Sequence, residues 1–422
     1  MLMFAGFDFG TSGARTIVID REGRVKFAAN TSYQLQDEGT WRTALYSLIL
    51  QIPLELRQAL QGIGIDGTSG TFVGCDGTGV VKIAPQLYND PRGKPALEFL
   101  RSICPEQSVV LSSTSTLARL ISLAHQGVWD KSWHLVHHCD RIAYFLHHCQ
   151  DYTDWHNALK LGYDPIGLNY PPAIADLGFK LPSVVPPGTP IAPIHFQVAQ
   201  ELGINPLCQI CSGTTDSNSA FLAAVGYHFR QGTAVTSLGS TLTVKILGDT
   251  PIFDPSYGIY SHRWTINDQT FWLAGGASNS GGAVLSHFFT NAELVSLSQQ
   301  IDPAVPTSLD YYPLLQPGER FPICDPHLPP RLSPRPDRDH LFLQGMLEGV
   351  ARIERLGYDR LQELGAPPIG VLYTVGAGGQ NPVWQAIRQR LLQVPFAPPV
   401  HSEAAYGSAL LAHHNIQEAA LG

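Results

Sequence analysis

The feature that most constrains this chain is a stretch near its start, residues 4–20, that has the pattern strand, glycine-rich turn, strand. Phe7 and Phe9 alternate with Asp8, so a strand would turn both rings to one face and the carboxylate to the other. The turn Gly10-Thr-Ser-Gly13 offers backbone N–H groups and two hydroxyls, which suit a phosphate. An acid beside it suits a hydrated Mg²⁺. A plain hairpin with a locally capped aspartate explains the same residues.

A second stretch, residues 236–249, repeats this design with an apolar strand, the turn Gly239-Ser-Thr241 and an alternating second strand. A little more than half of the 422 residues separate the two turns. Internal similarity at that distance predicts two related domains, each beginning with a phosphate-facing hairpin.

The two hairpins resemble the ATPase fold shared by actin, hexokinase and the sugar kinases, and residues 8–12 look most like the first phosphate loop of the FGGY carbohydrate kinase family. The similarity is to its short cyanobacterial and plant ribulose (xylulose-kinase-like) members. It implies an α/β fold of two ribonuclease H-like domains with an interdomain cleft. Residues 1–224 plus about 403–422 would form the N-terminal domain, with the sugar site and the catalytic acid. Residues 225–402 would form the C-terminal domain, with the adenosine pocket.

Composition limits the possible partners and location. The net charge is −8 and the pI about 6.0, so there is no basic excess to neutralise nucleic-acid phosphates. No stretch has the length and apolarity of a membrane span, and the first strand begins too early to leave room for a signal peptide. Seven scattered cysteines fit a reducing compartment, so we predict a cytoplasmic protein. The sequence leaves the oligomeric state open, with a monomer compatible.

Some spacings look like metal sites. Cys208 and Cys211 have metal or redox spacing, and the runs at 137–139 and 147–149 each combine two histidines with a cysteine. Their apolar and aromatic flanks favour ordinary packing for all of them. Residues 117–146 are predicted to be mostly helical, and the proline-dense residues 302–339 are predicted to be irregular.

Asp216 begins a predicted helix just after a strand that ends at Gly213. Aspartate is favoured as a helix N-cap, which gives one explanation. The family resemblance gives a second, compatible one, because a Gly-x-x-Asp at this place carries the base that accepts the proton of the sugar hydroxyl. A third stretch, residues 371–384, reads as a strand, a glycine turn and a helix beginning near Pro382. The resemblance makes it the adenosine pocket.

The resemblance also implies a role for each site residue. The catalytic residues would be Asp216, Asp8 and Thr11, with Asp8 holding Mg²⁺ through water. The sugar would contact Asp8, Ser12, Gly13, Ala14, Arg15, Ser69 (or its neighbour Thr68) and Asp216. ATP would contact Gly10, Thr11, Ser12, Gly239, Ser240, Gly282, Gly378, Gly379, Asn381 and Trp384. Trp384 would cover the adenine face, although a core aromatic explains it equally well.

These features together predict an ATP- and Mg²⁺-dependent kinase that phosphorylates a small sugar. The resemblance favours D-ribulose over D-xylulose, and a kinase for glycerol or another polyol is the alternative within the same fold. Two hypotheses of other classes are an acceptor-free actin- or chaperone-like ATPase and a non-catalytic sugar sensor. The first would hydrolyse ATP without sugar, and the second would lack the acids that stand at Asp8 and Asp216.

Overall fold

The computed structural model describes residues 2–419, and the chain divides into two compact units. The first unit is formed by Met1–Gly226 together with Glu403–Gly422, and the second by Tyr227–Ser402. The chain therefore leaves the first unit once, completes the second, and returns to the first.

A seven-stranded sheet forms the centre of the first unit. Its strands and those of two small sheets are β1 (Met3–Phe9), β2 (Gly13–Asp20), β3 (Val25–Ser32), β4 (Leu60–Gly67), β5 (Phe72–Cys75), β6 (Val81–Gln86), β7 (His134–His137), β8 (Tyr152–Asp154), β9 (Ser183–Val185), β10 (Pro190–Pro193), β11 (Gln209–Cys211) and β12 (Thr214–Thr215). The large sheet has the order β3-β2-β1-β4-β11-β10, and β12 also pairs with β4. The hairpin β1–β2 is antiparallel, whereas β4 runs parallel to β1.

Nine helices pack around the large sheet and the small ones in the described part of this unit. They are α1 (Glu38–Gln51), α2 (Leu54–Gln58), α3 (Leu97–Ile103), α4 (Thr116–His125), α5 (His138–His147), α6 (Trp155–Ala158), α7 (Pro172–Ala175), α8 (Phe196–Leu202) and α9 (Asp216–Val225). Phe7 and Phe9 lie in one hydrophobic core with Trp41 of α1, as the alternation in β1 predicts. The prediction of mostly helix over 117–146 is wrong in its middle, because β7 separates α4 from α5 and pairs with β5.

The second unit repeats the arrangement. Its strands are β13 (Thr233–Leu238), β14 (Leu242–Gly248), β15 (His262–Ile266), β16 (Gln269–Ser278), β17 (Val371–Val375) and β18 (Phe396–Ala397), and its helices are α10 (Gly282–Phe288), α11 (Asn291–Ser298), α12 (Asp339–Glu363) and α13 (Pro382–Leu392). Residues 302–338, between α11 and α12, contain neither helix nor extended strand, as the prolines predict.

The two sheets share one strand order. In the first unit the order third–second–first–fourth–fifth is β3-β2-β1-β4-β11, and in the second it is β16-β14-β13-β17-β18. In each, an antiparallel hairpin is followed by a strand parallel to its first member. The prediction of two related domains from the repeated hairpin is confirmed.

The closing helix α14 (Ala404–Ala419) packs backbone-to-backbone on the first sheet. A Cβ placed on Gly6 would lie 1.9 Å from the carbonyl oxygen of Ala405, and one on Gly64 would lie 2.2 Å from that of Ser408. Asp8 follows Gly6 at an interval of two along β1, and Asp66 follows Gly64 in the same way, so both acids are on the α14 face. Glycine at these positions is what lets the helix approach the strands.

Candidate active site

Three strands of the first sheet bring the candidate acids to one edge. Asp8 of β1 is in register with Asp66 of β4, which is in register with Thr214 of β12, and both pairings are parallel. Two residues beyond each of these positions, the chain leaves the sheet at Gly10, Thr68 and Asp216. The carboxyl ends of parallel strands are the usual ligand-binding edge of an α/β sheet.

The first turn is held from behind through its carbonyl groups. The hydroxyl of Tyr33 donates to the carbonyl of Gly10 at 2.7 Å, and its N–H donates to that of Ser12 at 3.0 Å. The side-chain amide of Gln36 donates to the carbonyl of Thr11. Thr11 and Ser12 themselves are exposed. The turn thus presents two hydroxyl-bearing residues to solvent while its acceptors are already occupied.

Asp8 and Asp66 form a buried carboxyl pair that the sequence analysis did not recognise. Asp66 is fully buried, and Ser408 of α14 donates to its Oδ2 at 2.6 Å. Burial, and then the charge of Asp8, raise the pKa of Asp66 well above its ordinary value. Burial also raises the pKa of Asp8, opposed by its hydrogen bond with Asp66 and by the Arg15 guanidinium. Burial and the charge of its neighbour therefore favour the protonated form of Asp66.

Asp66 could have been found from the sequence by one signal. It interrupts an otherwise apolar and glycine-rich strand, as Asp8 does. What the sequence did not show is that the two strands are parallel neighbours in a register that aligns the two acids.

Arg15 and Ala14 differ in their suitability for sugar binding. Arg15 lies opposite Asp8 in the hairpin, donates to Asp8 Oδ2 at 3.3 Å, and pairs with Glu403 at 3.2 Å. Its side chain is 57% exposed, so a ligand can reach it. The side chain of Ala14 is 1% exposed and belongs to the hydrophobic core, which leaves its backbone for the predicted sugar contact. Gly13 pairs with Ser32, and a Cβ there would lie 2.5 Å from the Thr31 carbonyl oxygen.

Asp216 is the first residue of α9, and the N-cap position belongs to Thr215. The carboxylate of Asp216 is half-buried and accepts a hydrogen bond from the Ser217 N–H at 2.6 Å. Its negative charge contributes to the raised pKa of Asp66. Asp216 therefore lies at the edge where Asp8 and Asp66 lie, without being the cap of its helix.

Ser69 follows β4 at the same edge. Arg119, itself buried, donates to the carbonyl oxygens of Gly70 and Leu87, and Lys160 donates to that of Ser69 at 3.4 Å. Among the residues that the structure describes, none is hydrogen-bonded to the buried Ser69 Oγ. Thr68 is the weaker candidate, because its N–H donates to His138 and its hydroxyl to Thr71.

The second turn is fixed by backbone hydrogen bonds from the glycine-rich link that follows β16. The N–H of Gly282 donates to the Gly239 carbonyl at 2.8 Å, and that of Ala283 to the Ser240 carbonyl at 3.0 Å. The Leu242 N–H donates to the Ser280 carbonyl at 2.7 Å. Ser240 is exposed at the tip. Gly239, Ser240 and Gly282, each predicted to contact ATP, are therefore neighbours.

The predicted adenosine turn lies beside the second turn. Gly376, with φ 86°, packs against the Leu238 carbonyl, and Gly378 and Gly379 follow half-buried in a 3₁₀ turn. Asn381 is the N-cap of α13: its carbonyl oxygen accepts from two backbone N–H groups, and its amide donates to Ser298.

Trp384 does not present its ring to a ligand. It is 2% exposed, belongs to the core of the second unit, and its indole N–H donates to the Leu347 carbonyl at 3.1 Å. A Cβ on Gly378 would lie 2.5 Å from this indole, so the ring lies beneath the turn. The expected adenine-covering role is wrong, and the core explanation is correct.

The residues of the cysteine and histidine runs are buried, except for the exposed His148 and the half-buried Cys149. Cys208 and Cys211 are buried free thiols. His147 bonds the Tyr152 hydroxyl at 2.7 Å, which occupies one of its ring nitrogens. Ligand atoms of Cys139, Asp140 and Asp154 lie within 4.8 Å of one another, but the two carboxylates accept hydrogen bonds from Thr153 and Asn157. None of the helices in the described chain is long and apolar enough to cross a bilayer.

Comparison with known proteins agrees with this architecture. Residues 234–416 match the model of the C-terminal domain of the FGGY family of carbohydrate kinases. A xylulose kinase from Lactobacillus acidophilus superposes with a TM-score of 0.84 at 16% identity, covering 99% of this chain and 90% of the other. A gluconate kinase from the same organism gives 0.83 at 16% identity, with 99% and 89% coverage. Glycerol kinase from Plasmodium falciparum with ADP gives 0.83 at 15%, with 99% and 90% coverage. These likenesses show the two-domain ATPase fold.

Proposed function

We propose that the chain is a carbohydrate kinase of the FGGY family, whose C-terminal domain model matches residues 234–416, and that it transfers the γ-phosphate of ATP to a hydroxyl group of a small ketose, D-ribulose ahead of D-xylulose. The observation that carries the proposal is the meeting of Asp8, Asp66 and Asp216 at one sheet edge beside an exposed Thr-Ser turn. The similarity to a xylulose kinase supports a ketose. The preference for ribulose comes from the resemblance of the sequence to the short members of the family.

Asp216 acts in this proposal as the general base. Its half-buried carboxylate lies at the start of a helix and at the ligand-binding edge, so it can accept the proton of an acceptor hydroxyl. The exposed Arg15 guanidinium and the Ser69 hydroxyl, which has no hydrogen-bond partner among the described residues, contribute donors at this edge. A polyol has several hydroxyls, and this mixture of donors and acceptors matches them.

The exposed hydroxyls of Thr11 and Ser12 hold the transferring phosphoryl group in this proposal. Their carbonyls are tied back by Tyr33 and Gln36, which leaves the donor side of the turn for phosphate oxygens. In phosphoryl transfer, positioning and electrostatic stabilisation supply nearly all of the catalysis.

The residues at this edge also fit a divalent cation. Asp8 and Asp66 place two carboxyl groups side by side in a buried region. The half-exposed guanidinium of Arg15 contacts Asp8. Carboxylate oxygens and water are the ligands that Mg²⁺ prefers, so Asp8 would hold it through water. When bound, Mg²⁺ neutralises charge on the phosphate oxygens.

The second unit contributes nucleotide binding in this proposal. Gly239 and Ser240 offer a backbone turn to the phosphates, and Gly378 and Gly379 offer a surface without side chains to adenosine. Asn381 would act through the turn that it caps, because both ends of its amide are already engaged.

The test is ADP release from MgATP with D-ribulose, D-xylulose, L-ribulose, glycerol or no acceptor. Asp216→Asn is measured beside the wild type, with Ser217→Ala as a matched control at the exposed neighbouring position. We expect one ketose to raise turnover, and Asp216→Asn to abolish that rise while Ser217→Ala keeps it. Equal turnover without acceptor, unchanged in Asp216→Asn, would contradict the proposal and favour a bare ATPase.

A further inference from the structure

Glu319 is a buried carboxylate in the proline-rich excursion of the second unit, residues 302–338. It is 3% exposed and accepts five hydrogen bonds. Oε1 accepts from the backbone N–H groups of Asn279 at 2.8 Å, Arg320 at 2.9 Å and Phe321 at 3.5 Å. Oε2 accepts from the hydroxyls of Ser278 at 2.5 Å and Tyr312 at 3.0 Å. A buried carboxylate with this many donors fixes all of them in place.

Two of these donors, the Ser278 hydroxyl and the Asn279 N–H, lie where β16 ends and the link to α10 begins. Ser278 not only donates to Glu319 but also accepts from the Ser280 N–H at 3.0 Å. The Ser280 carbonyl in turn accepts from Leu242, at the end of the second turn. A continuous chain of hydrogen bonds therefore runs from Glu319 through Ser278 and Ser280 to the hairpin.

The β14–β16 ladder also reaches the start of the link, because Ser278 pairs with Leu242. Gly281 has φ 143°, and a Cβ there would lie 2.7 Å from the Thr241 backbone, so the link passes close to the turn without side-chain packing at that point. The excursion adds two clamps around Glu319: Arg320 Nε donates to the Ala277 carbonyl at 2.7 Å, and the Asn279 amide donates to the Gly318 carbonyl at 3.0 Å. The excursion thus holds the end of β16 and the link through hydrogen bonds of Glu319, Arg320 and the Gly318 carbonyl.

We infer that Glu319 is a positioning residue for nucleotide binding: it holds the link at Ser278–Ser280 so that the link fixes the Gly239–Ser240 turn for the phosphates of ATP. This inference rests on the proposed function, which assigns that turn to the nucleotide. Glu319 acts on the nucleotide only through the link, because its five hydrogen bonds go to protein groups. It gives the proline-rich excursion a role in the site.

The two hydroxyls on Oε2 provide a matched pair of variants. Ser278→Ala removes the hydrogen bond on the link side, and Tyr312→Phe removes the one on the excursion side. The net contribution of one hydrogen bond corresponds to about three- to tenfold in an equilibrium constant. We expect Ser278→Ala to raise the Kd for MgADP about three- to tenfold, and Tyr312→Phe to lower the Tm while leaving that Kd within twofold of wild type.

Variants of Glu319 give a larger effect and a rescue. Glu319→Ala leaves three backbone N–H groups and two hydroxyls without their acceptor, so we expect the largest rise in Kd together with a lower Tm. In Glu319→Gln the amide oxygen still accepts from the backbone, and the hydroxyls can rotate to accept from the amide nitrogen. It should therefore recover most of the affinity that Glu319→Ala loses.

Amide hydrogen exchange without ligand makes the test independent of the proposed function. Ser278→Ala should speed exchange in the 239–242 and 278–283 segments, whereas Tyr312→Phe should leave the 239–242 segment unchanged. Equal exchange in the two variants, or an unaltered Kd for MgADP in folded Glu319→Ala, would overturn the inference. Failure of the wild type to bind MgADP would instead overturn the proposed function, and the exchange pattern would still decide whether Glu319 positions the turn.

Discussion

The two turns have the same hairpin geometry but are supported differently. The first is held by side chains, Tyr33 and Gln36, and has the carboxyl pair Asp8–Asp66 beside it. The second is held by backbone hydrogen bonds from the link, and the carboxylate behind it, Glu319, is occupied by five donors. The first turn is thus equipped with reactive carboxyl groups, and the second with a rigid frame. This difference predicts that the first unit carries the chemistry and the second carries nucleotide affinity.

The largest expected effect is at Asp8. Asp8→Asn keeps the shape of the side chain and removes its charge, so we expect kcat to fall about 10²- to 10³-fold, with the Kd for ADP little changed. Asp20, at the other end of the same hairpin, is the control, because it is buried and bonded to Arg24 and Lys26. Asp20→Asn should lower the Tm and preserve kcat. A wild-type kcat in Asp8→Asn would show that Asp8 does not have the catalytic role proposed for it.

Alanine at the first glycine of each turn sharpens the comparison. A Cβ on Gly10 would lie 3.6 Å from its nearest neighbour, and one on Gly239 would lie 3.7 Å away, so both variants should fold with the wild-type Tm. A change in kcat or in the Kd for ADP would then show that the added methyl group hinders the approach of the ligand to the turn. We expect Gly239→Ala to raise the Kd for ADP about tenfold, and Gly10→Ala to lower kcat with a smaller change in that Kd. A fall in kcat in Gly239→Ala together with a weaker ADP affinity in Gly10→Ala would contradict the assignment of chemistry to the first unit and nucleotide affinity to the second.

A smaller effect is expected at Tyr33, which supports the first turn as Glu319 supports the second. Tyr33→Phe removes the hydrogen bond to the Gly10 carbonyl, and one such bond corresponds to about three- to tenfold. The predicted consequence is a fall in kcat of that size, with unchanged ADP affinity by calorimetry. A rise in the Kd for ADP equal to that of Ser278→Ala would show that the two supports are equivalent.

The smallest expected effect concerns how the stability of the fold changes as the pH falls. Burial lowers the pKa of His138 from 6.5 to about 3, and its Nδ1 accepts from the Thr68 N–H. Because the pKa of His138 is lower in the folded than in the unfolded chain, protonation of the unfolded chain lowers the free energy of unfolding as the pH falls from 6.5 towards 3. By pH 5 this loss amounts to about 2 kcal/mol. His138→Phe should show a shallower decline of Tm between pH 6.5 and 5, whereas exposed His125→Phe should keep the wild-type slope.

Sequence reasoning could predict features that lie in one continuous segment. Both hairpins, Asp8 and the irregular proline-rich excursion are such features. Asp66 was missed because its significance depends on which strand pairs with β1. Trp384 was misassigned because a helix pattern does not show which neighbours cover a side chain.

Glu319 was invisible for another reason. An acid in an irregular segment looks exposed, and here the fold brings it against a link some forty residues earlier, with Asn279 and Ser278 as donors. Long-range contacts of this kind have no signature in local composition or periodicity.

The return of α14 to the first sheet has a consequence for synthesis. The ribosome releases Tyr227–Ser402 before it releases the helix that covers Gly6 and Gly64. At about 5–20 residues per second, the first sheet waits on the order of ten to thirty seconds with that face uncovered. Asp66 meets Ser408 only when this wait ends. The domain that begins first is therefore the one that finishes last, and a nascent chain interrupted before residue 403 would expose an unfinished sheet to chaperones and proteases.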